Sequence, residues 1–373
     1  MTKSVLFLVC FLLHGSIMFC QFPDTKWVLG YAGGEGTELD SFGLTILDFE
    51  DNQLHLSEEL EIDYWHGTNN VSISRESTLL LYFNGLSINN GNHEQIINGG
   101  DMYLGDGSLG YNVPQGAILL PMPESNNMIY FLINTHADWD DELNANVGDK
   151  LFYSVINADL IDDTYEVTLK NQLLIDERLA GGQLTSTKHG NGRDWWIIWR
   201  YWDSNVFIRY LLSPEGLQRV PDQEIGVPTL SGLGQAVFSP DGSKYVLFNT
   251  ISSTVGVYVN IYDFDRCNGS LSNQVEIHFP HDGGAGGAAI SPNSRFLYVP
   301  SLTKIYQYDL WADDIESSRI TVANYDGFLS PFLPATFFMG QLARDGKIYI
   351  SSPNGVMSLT QIEYPDRIGQ DCV

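Results

Sequence analysis

Two histidines, His136 and His189, together with the adjacent pair Arg193 and Asp194, are the side chains best suited to acid–base chemistry. An imidazole titrates near neutrality, a carboxylate can orient it, and a guanidinium can hold developing negative charge, which would serve a hydrolase or a lyase. The segment Lys188-His189-Gly190-Asn191-Gly192 also reads as a hairpin turn, and the turn is the preferred reading. Catalysis would need several such groups from distant segments to converge on one mouth, which no linear pattern displays. A second cluster, Asp138, Asp140, Asp141, Asn144, Asn146 and Asp149, places oxygen ligands at short spacing in an apparent loop. Such a loop could hold a hard cation, calcium being the candidate, although the spacing fails the EF-hand template and solvated acidic loops are common. No other cofactor is implied.

Gly284-Ala285-Gly286-Gly287-Ala288-Ala289 matches a dinucleotide fingerprint by letter, but a Ser-Pro turn and a strand follow it where a phosphate-binding helix would have to start. Small residues there let an innermost strand approach its neighbours. Asp194 to Trp202 is the densest aromatic stretch. Alternation sends Trp195, Ile197 and Trp199 to one side and Trp196 and Ile198 to the other, both buried, leaving Tyr201 and Trp202 as ligand contacts. There is no nucleophile elbow, no zincin helix motif and no cysteine cluster for zinc.

The elements that must carry these residues are strands. Apolar periodicity is close to two throughout, as in Tyr245-Val246-Leu247-Phe248 and Lys347-Ile348-Tyr349-Ile350, with turn dipeptides every dozen residues or so. An apolar strand, a Ser-Pro-Asp-Gly type turn and a second apolar strand recur at Ala236–Val246, Ala289–Val299 and Gln341–Ile350, and the turn residues Asp241, Asn293 and Asp345 follow at intervals of 52 residues. Weaker copies begin at Ser72, Ala117 and Thr187, and Trp27 to Glu61 leaves room for one more. A repeat of about that length is one propeller blade. The sequence therefore predicts an all-β fold, a β-propeller of about seven four-stranded blades, with six the alternative, occupying 21–373 as a single domain. Ring closure is expected from pairing of a strand near Gly43–Leu47 with one near Val356–Ile362, which would hide the edges.

Residues 1–20 read as a signal peptide, with Lys3 ahead of an apolar stretch from Val5 to Leu13, and a mature chain beginning at Gln21. Lipidation at Cys20 is disfavoured by the bulky Phe19 before it. Export leaves Cys267 and Cys372, expected to form a disulfide. With 19 Lys and Arg against 46 Asp and Glu, the net charge of −27 repels phosphate, so nucleic acid and anionic membrane surfaces are not expected partners. No later segment is long and apolar enough to span a bilayer.

Several segments carry a resemblance: Trp27-Val28-Leu29-Gly30, Thr185 to Ile198, Tyr262 to Asn273 and Pro365 to Cys372. In order and spacing the chain resembles the propeller region, WD-repeat-like or YVTN-like, of large secreted Bacteroidota surface proteins associated with type IX secretion or gliding motility. The resemblance implies a propeller at the cell surface or outside the cell, and no activity that transfers residue by residue. Those relatives usually continue into a long tail, and the sequence ends at Val373, so surface anchoring is not implied. The expected function is an extracellular binding or scaffolding module for a protein or glycan, acting as a monomer. The alternative is a propeller enzyme acting on a sugar or lactone-like substrate through His136 and His189.

Overall fold

The structure, a computed structural model, describes residues 25–30, 44–59, 71–75, 78–102, 114–143, 145–252, 255–280 and 284–373. The expected leader, residues 1–20, lies outside the described residues.

Seven antiparallel sheets follow one another along the chain as the blades of a propeller. The first holds β1 (Lys26–Leu29), β2 (Leu44–Asp48) and β3 (His55–Glu59), and the second β4 (Val71–Arg75), β5 (Thr78–Phe83) and β6 (Ile88–Asn90). The third holds β7 (Ala117–Pro121), β8 (Ile129–Asp140), β9 (Ala145–Asp159) and β10 (Thr164–Leu179), and the fourth β11 (Thr185–Lys188), β12 (Trp195–Arg200), β13 (Val206–Ser213) and β14 (Gly216–Glu224). The fifth holds β15 (Leu233–Phe238), β16 (Lys244–Ser252), β17 (Gly256–Asp265) and β18 (Ser270–Phe279). The sixth holds β19 (Ala289–Ile290), β20 (Phe296–Ser301), β21 (Lys304–Asp309) and β22 (Ile320–Asn324), and the seventh β23 (Gly340–Leu342), β24 (Ile348–Ile350) and β25 (Thr360–Ile362). Blades three to six have four strands, and the others show three among the described residues.

The repeated turn is held by its own side chains. Ser239 Oγ accepts from the Lys244 amide at 2.9 Å and donates to Asp241 Oδ1 at 2.6 Å, while Asp241 Oδ1 also accepts from the Ser243 amide. Ser291 and Asn293 make the same set one blade on, with bonds to Phe296 N and Arg295 N. The fourth turn residue must adopt positive φ, which Gly242 and Gly346 do freely at 72° and 82° and Ser294 does at 62°.

Each pair of successive blades encloses one apolar layer, and there are seven layers for seven blades. Trp195, Ile197 and Trp199 face blade three and Trp196 and Ile198 face blade five, as the alternation predicted. The last layer joins the chain's two ends: Leu47 and Phe49 of blade one pack on Ala343 and Tyr349 of blade seven, with Trp27 edge-on to Phe49 at 4.7 Å. This corrects the expected closure. β2 pairs only with β1 and β3, and β25 only with β24, so among the described residues the ring closes through side-chain packing rather than a shared strand.

The expected disulfide is also corrected: both thiols are free. Cys267 is exposed in the turn between β17 and β18, where its carbonyl lies 3.0 Å from His189 Nε2. Cys372 is buried between blades six and seven among Ile320, Val322 and Ile362. Its segment is fastened beneath blade six, with Gly369 N donating to Gln307 Oε1 and Tyr298 Oη to Pro365 O. Cys267 lies in an exposed turn of blade five and Cys372 in the layer between blades six and seven, which is why they do not meet.

Candidate functional site

A propeller's innermost strands run from one end of the ring to the other, so position along them decides which side chains can share a mouth. Ala117, at the start of β7, pairs with Asn134, which puts His136 beyond the start of the inner strands. Lys188, at the end of β11, pairs with Trp195, which puts His189 beyond their finish. At 3.3 Å of rise per residue the two imidazoles are separated by roughly 15 Å of blade. They do not converge.

Each is engaged locally. His136 Nδ1 lies 2.5 Å from Asp149 Oδ1, and Lys150 Nζ lies 2.5 Å from Asp149 Oδ2. Burial works to raise the Asp149 pKa, but the contacts with His136 and Lys150 outweigh it and hold the carboxyl below its ordinary value. His189 Nδ1 accepts from the Asn191 amide at 3.0 Å while Nε2 lies 3.0 Å from the Cys267 carbonyl, so both ring nitrogens are engaged. Asp194 is buried and accepts from Arg193 Nε at 2.6 Å and Asn191 Nδ2 at 2.8 Å. Burial pushes its pKa up, and the bonds from Arg193 and Asn191 pull it further down, so it stays ionised with its oxygens occupied. Arg193 crosses to Glu124 of blade three at 2.7 Å. His189, Arg193 and Asp194 thus come together, but as a turn that staples blade four to its neighbours.

Beside this turn lies an open cleft of about 300 Å³, lined by Met122, Asn126, Asn127, Lys188, Arg193 and Trp195 among others. Lys188 Nζ stands 3.6 Å from the centroid of the Trp195 ring, and that ring is 2 % exposed. The face on which a sugar would stack is therefore occupied by a cation.

The acidic run is a correction of another kind. It belongs to strands rather than a loop, since β8 and β9 continue outward as a hairpin with Asp138 opposite Val147 and Asp140 opposite Ala145. Asp140 caps the turn by accepting from the Glu142 and Leu143 amides and pairs with Arg178 Nε at 2.8 Å. Asp141 is exposed in the turn, Asn146 sits in register with Trp139, and Asn144 lies outside the described residues. Asp138 and Asp140, two residues apart on β8, share a face, but Asp140 is held by Arg178 and Asp149 by His136 and Lys150, and among the described residues no three acidic, histidine or cysteine side chains are grouped to hold a metal. Tyr201 and Trp202 are half-buried. Tyr201 Oη bonds Asp222 and Arg219, and the Trp202 amide donates to Arg178 O of blade three.

What sequence reading missed is at the axis. β23 is an inner-edge strand, so the N–H and C=O of Gly340 have no strand partner on the axial side. Gln235 supplies one: its Oε1 accepts from Gly340 N at 3.2 Å and Ala288 N at 3.0 Å, and its Nε2 donates to Gly340 O at 2.8 Å. Gln115 does the same across blade four, bonding both N and O of Ala236 at 2.7 and 2.9 Å, and Gln183 donates to Asn249. A Cβ on Gly287 would meet Gln235 Oε1 at 2.4 Å, which explains the small residues of the Gly284–Ala289 stretch. A cavity of about 20 Å³ beside the inner strands of blades five to seven holds one water at most and is lined by Val237, Ile290, Gly340 and Leu342 among others, none ionisable. Isolated glutamines beside small residues are a signal, but only a ring with inner edges to satisfy gives them meaning.

The sequence matches no protein-family model, and no curated protein is detectably similar to it. Solved structures do resemble it. One is a protein described as functionally unknown from Desulfotomaculum acetoxidans, 13 % identical, covering 90 % of each chain with a TM-score of 0.48. Another is the periplasmic gluconolactonase of Pseudomonas aeruginosa, 12 % identical, covering 88 % of this chain and 85 % of that one, also with a TM-score of 0.48. Likeness at this level carries no argument about activity.

Proposed function

We propose that this chain is an exported, non-catalytic binding or scaffolding propeller that holds an extracellular protein or glycan on its loops. The observation that carries the reading is the bracing of the inner edges: where a propeller enzyme needs converging titratable groups, the inner strands of blades five to seven have glutamine amides bonded to their backbone, small residues, and beside them a cavity with no ionisable lining. His136 and His189 sit at opposite ends with local partners. Export rests on the leader-like first residues and on the resemblance to secreted Bacteroidota surface propellers, with the mature chain starting at Gln21.

The test pairs two assays on the mature protein. A screen against extracellular polysaccharides and purified surface proteins is expected to yield a ligand whose affinity is unchanged by His136→Ala and His189→Ala. Hydrolysis of a sugar lactone, lost in either variant, would overturn the reading in favour of a propeller enzyme.

A further inference from the structure

Six asparagines are followed by a glycine: Asn84, Asn90, Asn98, Asn191, Asn268 and Asn354. In such a pair the glycine nitrogen can attack the asparagine side-chain carbonyl, because no Cβ shields it and its backbone turns freely. The attack needs a glycine N–H that is not already committed and a carboxamide that can reach it. The fold withholds one or both at five of the six.

Asn98, Asn191 and Asn268 are exposed, but the glycine after each has its N–H bonded: Gly99 to Ile96 O at 2.9 Å, Gly192 to His189 O at 2.9 Å and Gly269 to Asp265 O at 2.7 Å. Their own Nδ2 groups are held too, by the Val167 carbonyl, Asp194 and Asp265. Asn84 and Asn90 are buried, and each side-chain oxygen accepts two backbone amides, those of Leu86 and Ser87 for the first and of Asn92 and Glu94 for the second.

Asn354 differs. It lies in the β24 to β25 connection, where Gly355 is exposed and its N–H has no hydrogen-bond partner among the described residues. Val356 N donates to Asn354 O at 2.9 Å, which closes a tight turn around Gly355. Ser352 Oγ donates to Asn354 Oδ1 at 2.9 Å, and Asn354 Nδ2 donates to Pro334 O at 3.0 Å. The hydroxyl draws electrons from the Cγ carbonyl and is placed to hold the oxyanion that forms on attack.

We propose that Asn354 is a self-modification site, at which the Gly355 nitrogen closes on Asn354 Cγ and the side-chain nitrogen leaves as ammonia. The Gly355 N–H proton passes through water to Nδ2 while the N–Cγ bond forms and the Cγ–Nδ2 bond breaks, giving a cyclic imide. Water then adds to one of the two imide carbonyls and opens the ring to aspartate or isoaspartate, with no oxidant or reductant involved. Neither product keeps the Nδ2 donor. The bond to Pro334 that ties this loop to the β22 to β23 connection is therefore lost, and one negative charge is gained. The reaction needs only water and is independent of what the propeller binds.

The test incubates the mature protein at mildly alkaline pH and follows each Asn-Gly site by peptide mapping in a mass spectrometer, with isoaspartyl methyltransferase labelling as a second readout. Asn354 is expected to convert first, roughly tenfold faster than Asn98, Asn191 and Asn268, the effect of one backbone hydrogen bond that must break before attack. In urea, where every glycine N–H is released, the six rates should converge. Gly355→Ala, which puts a methyl group beside the attacking nitrogen, should leave Asn354 intact over the same period. Ser352→Ala should slow conversion roughly two- to tenfold, as loss of one hydrogen bond to a transition state does. Both positions lie outside the core, so the fold is retained, which an unchanged melting temperature verifies. Native-state conversion of Asn354 no faster than that of Asn191 or Asn268 would overturn the proposal, as would conversion in Gly355→Ala as fast as in the wild type.

Discussion

Replacing Gln235 by leucine removes an amide while keeping a side chain of similar bulk at the axis. Three backbone groups then lose their partner: the amides of Ala288 and Gly340 and the carbonyl of Gly340. Gln235 is 2 % exposed, so water does not reach these groups without rearrangement. A buried polar group left unmade costs about 1–3 kcal/mol. At the low end for each, the variant is destabilised by about 3 kcal/mol. Unfolding entropy near 2.1 cal/mol/K per residue comes to about 0.7 kcal/mol/K for a chain of this length, which makes the drop in melting temperature about 4 °C. Gln115→Leu, which breaks the two bonds to Ala236, should fall by about two-thirds as much by the same reasoning. Gln361→Leu changes an exposed side chain and should stay within about 1 °C. Differential scanning fluorimetry on the three proteins reads this directly. If Gln235→Leu and Gln115→Leu melt with the wild type, the inner edges are satisfied by solvent and the axis is a wet channel.

Other expectations are simpler. In the protein from Gln21 onward, Ellman's reagent should find one thiol in the native state, Cys267, and two after unfolding, because burial both hides Cys372 and raises its pKa; a bonded pair would give none. Adding calcium or chelator should leave the melting temperature unchanged, since Asp140 and Asp149 already have cationic partners; a calcium-dependent rise would restore a metal site in the outer hairpin of blade three. Acid should destabilise through Asp194, Asp241 and Asp309, whose folded-state pKa values lie below the ordinary carboxylate value. Their contribution is complete above the unfolded value near 4 and lost as pH falls below it. Alkali should act through Tyr165, Tyr210 and Tyr308, pushed up to about 12 chiefly by burial, whose stabilisation is complete below about 10 and lost between 10 and 12. Melting temperatures at pH 3, 7 and 11 check both limbs.

The blades were legible because their signals are local. Ser239, Asp241 and Gly242 close one turn with bonds that span no more than five residues, and the repeat of that chemistry announced the period. The two-sided burial of Trp195 to Trp199 followed from alternation alone. Features that depend on the ring were not legible. Whether blade one and blade seven share a strand or only a packed layer depends on how Phe49 and Tyr349 meet, and nothing near either residue states it. The acidic run looked like a loop because Asp138 to Asp149 lack apolar alternation, yet pairing with β9 carries β8 outward regardless. Phe328 to Pro334 carries no signal of its exposure, because an apolar stretch between two repeats reads equally as core.

The inner edges of blades five to seven are bonded to glutamine amides rather than left to solvent. Hydrogen exchange at the Ala288 and Gly340 amides tests it most directly, because each donates to Gln235 and to no strand. The account predicts protection at pH 7 as strong as that of interior strand amides such as Val246 and Leu297, which are fully buried. Exchange as fast as in the exposed 326–334 loop would place solvent at the axis and contradict it.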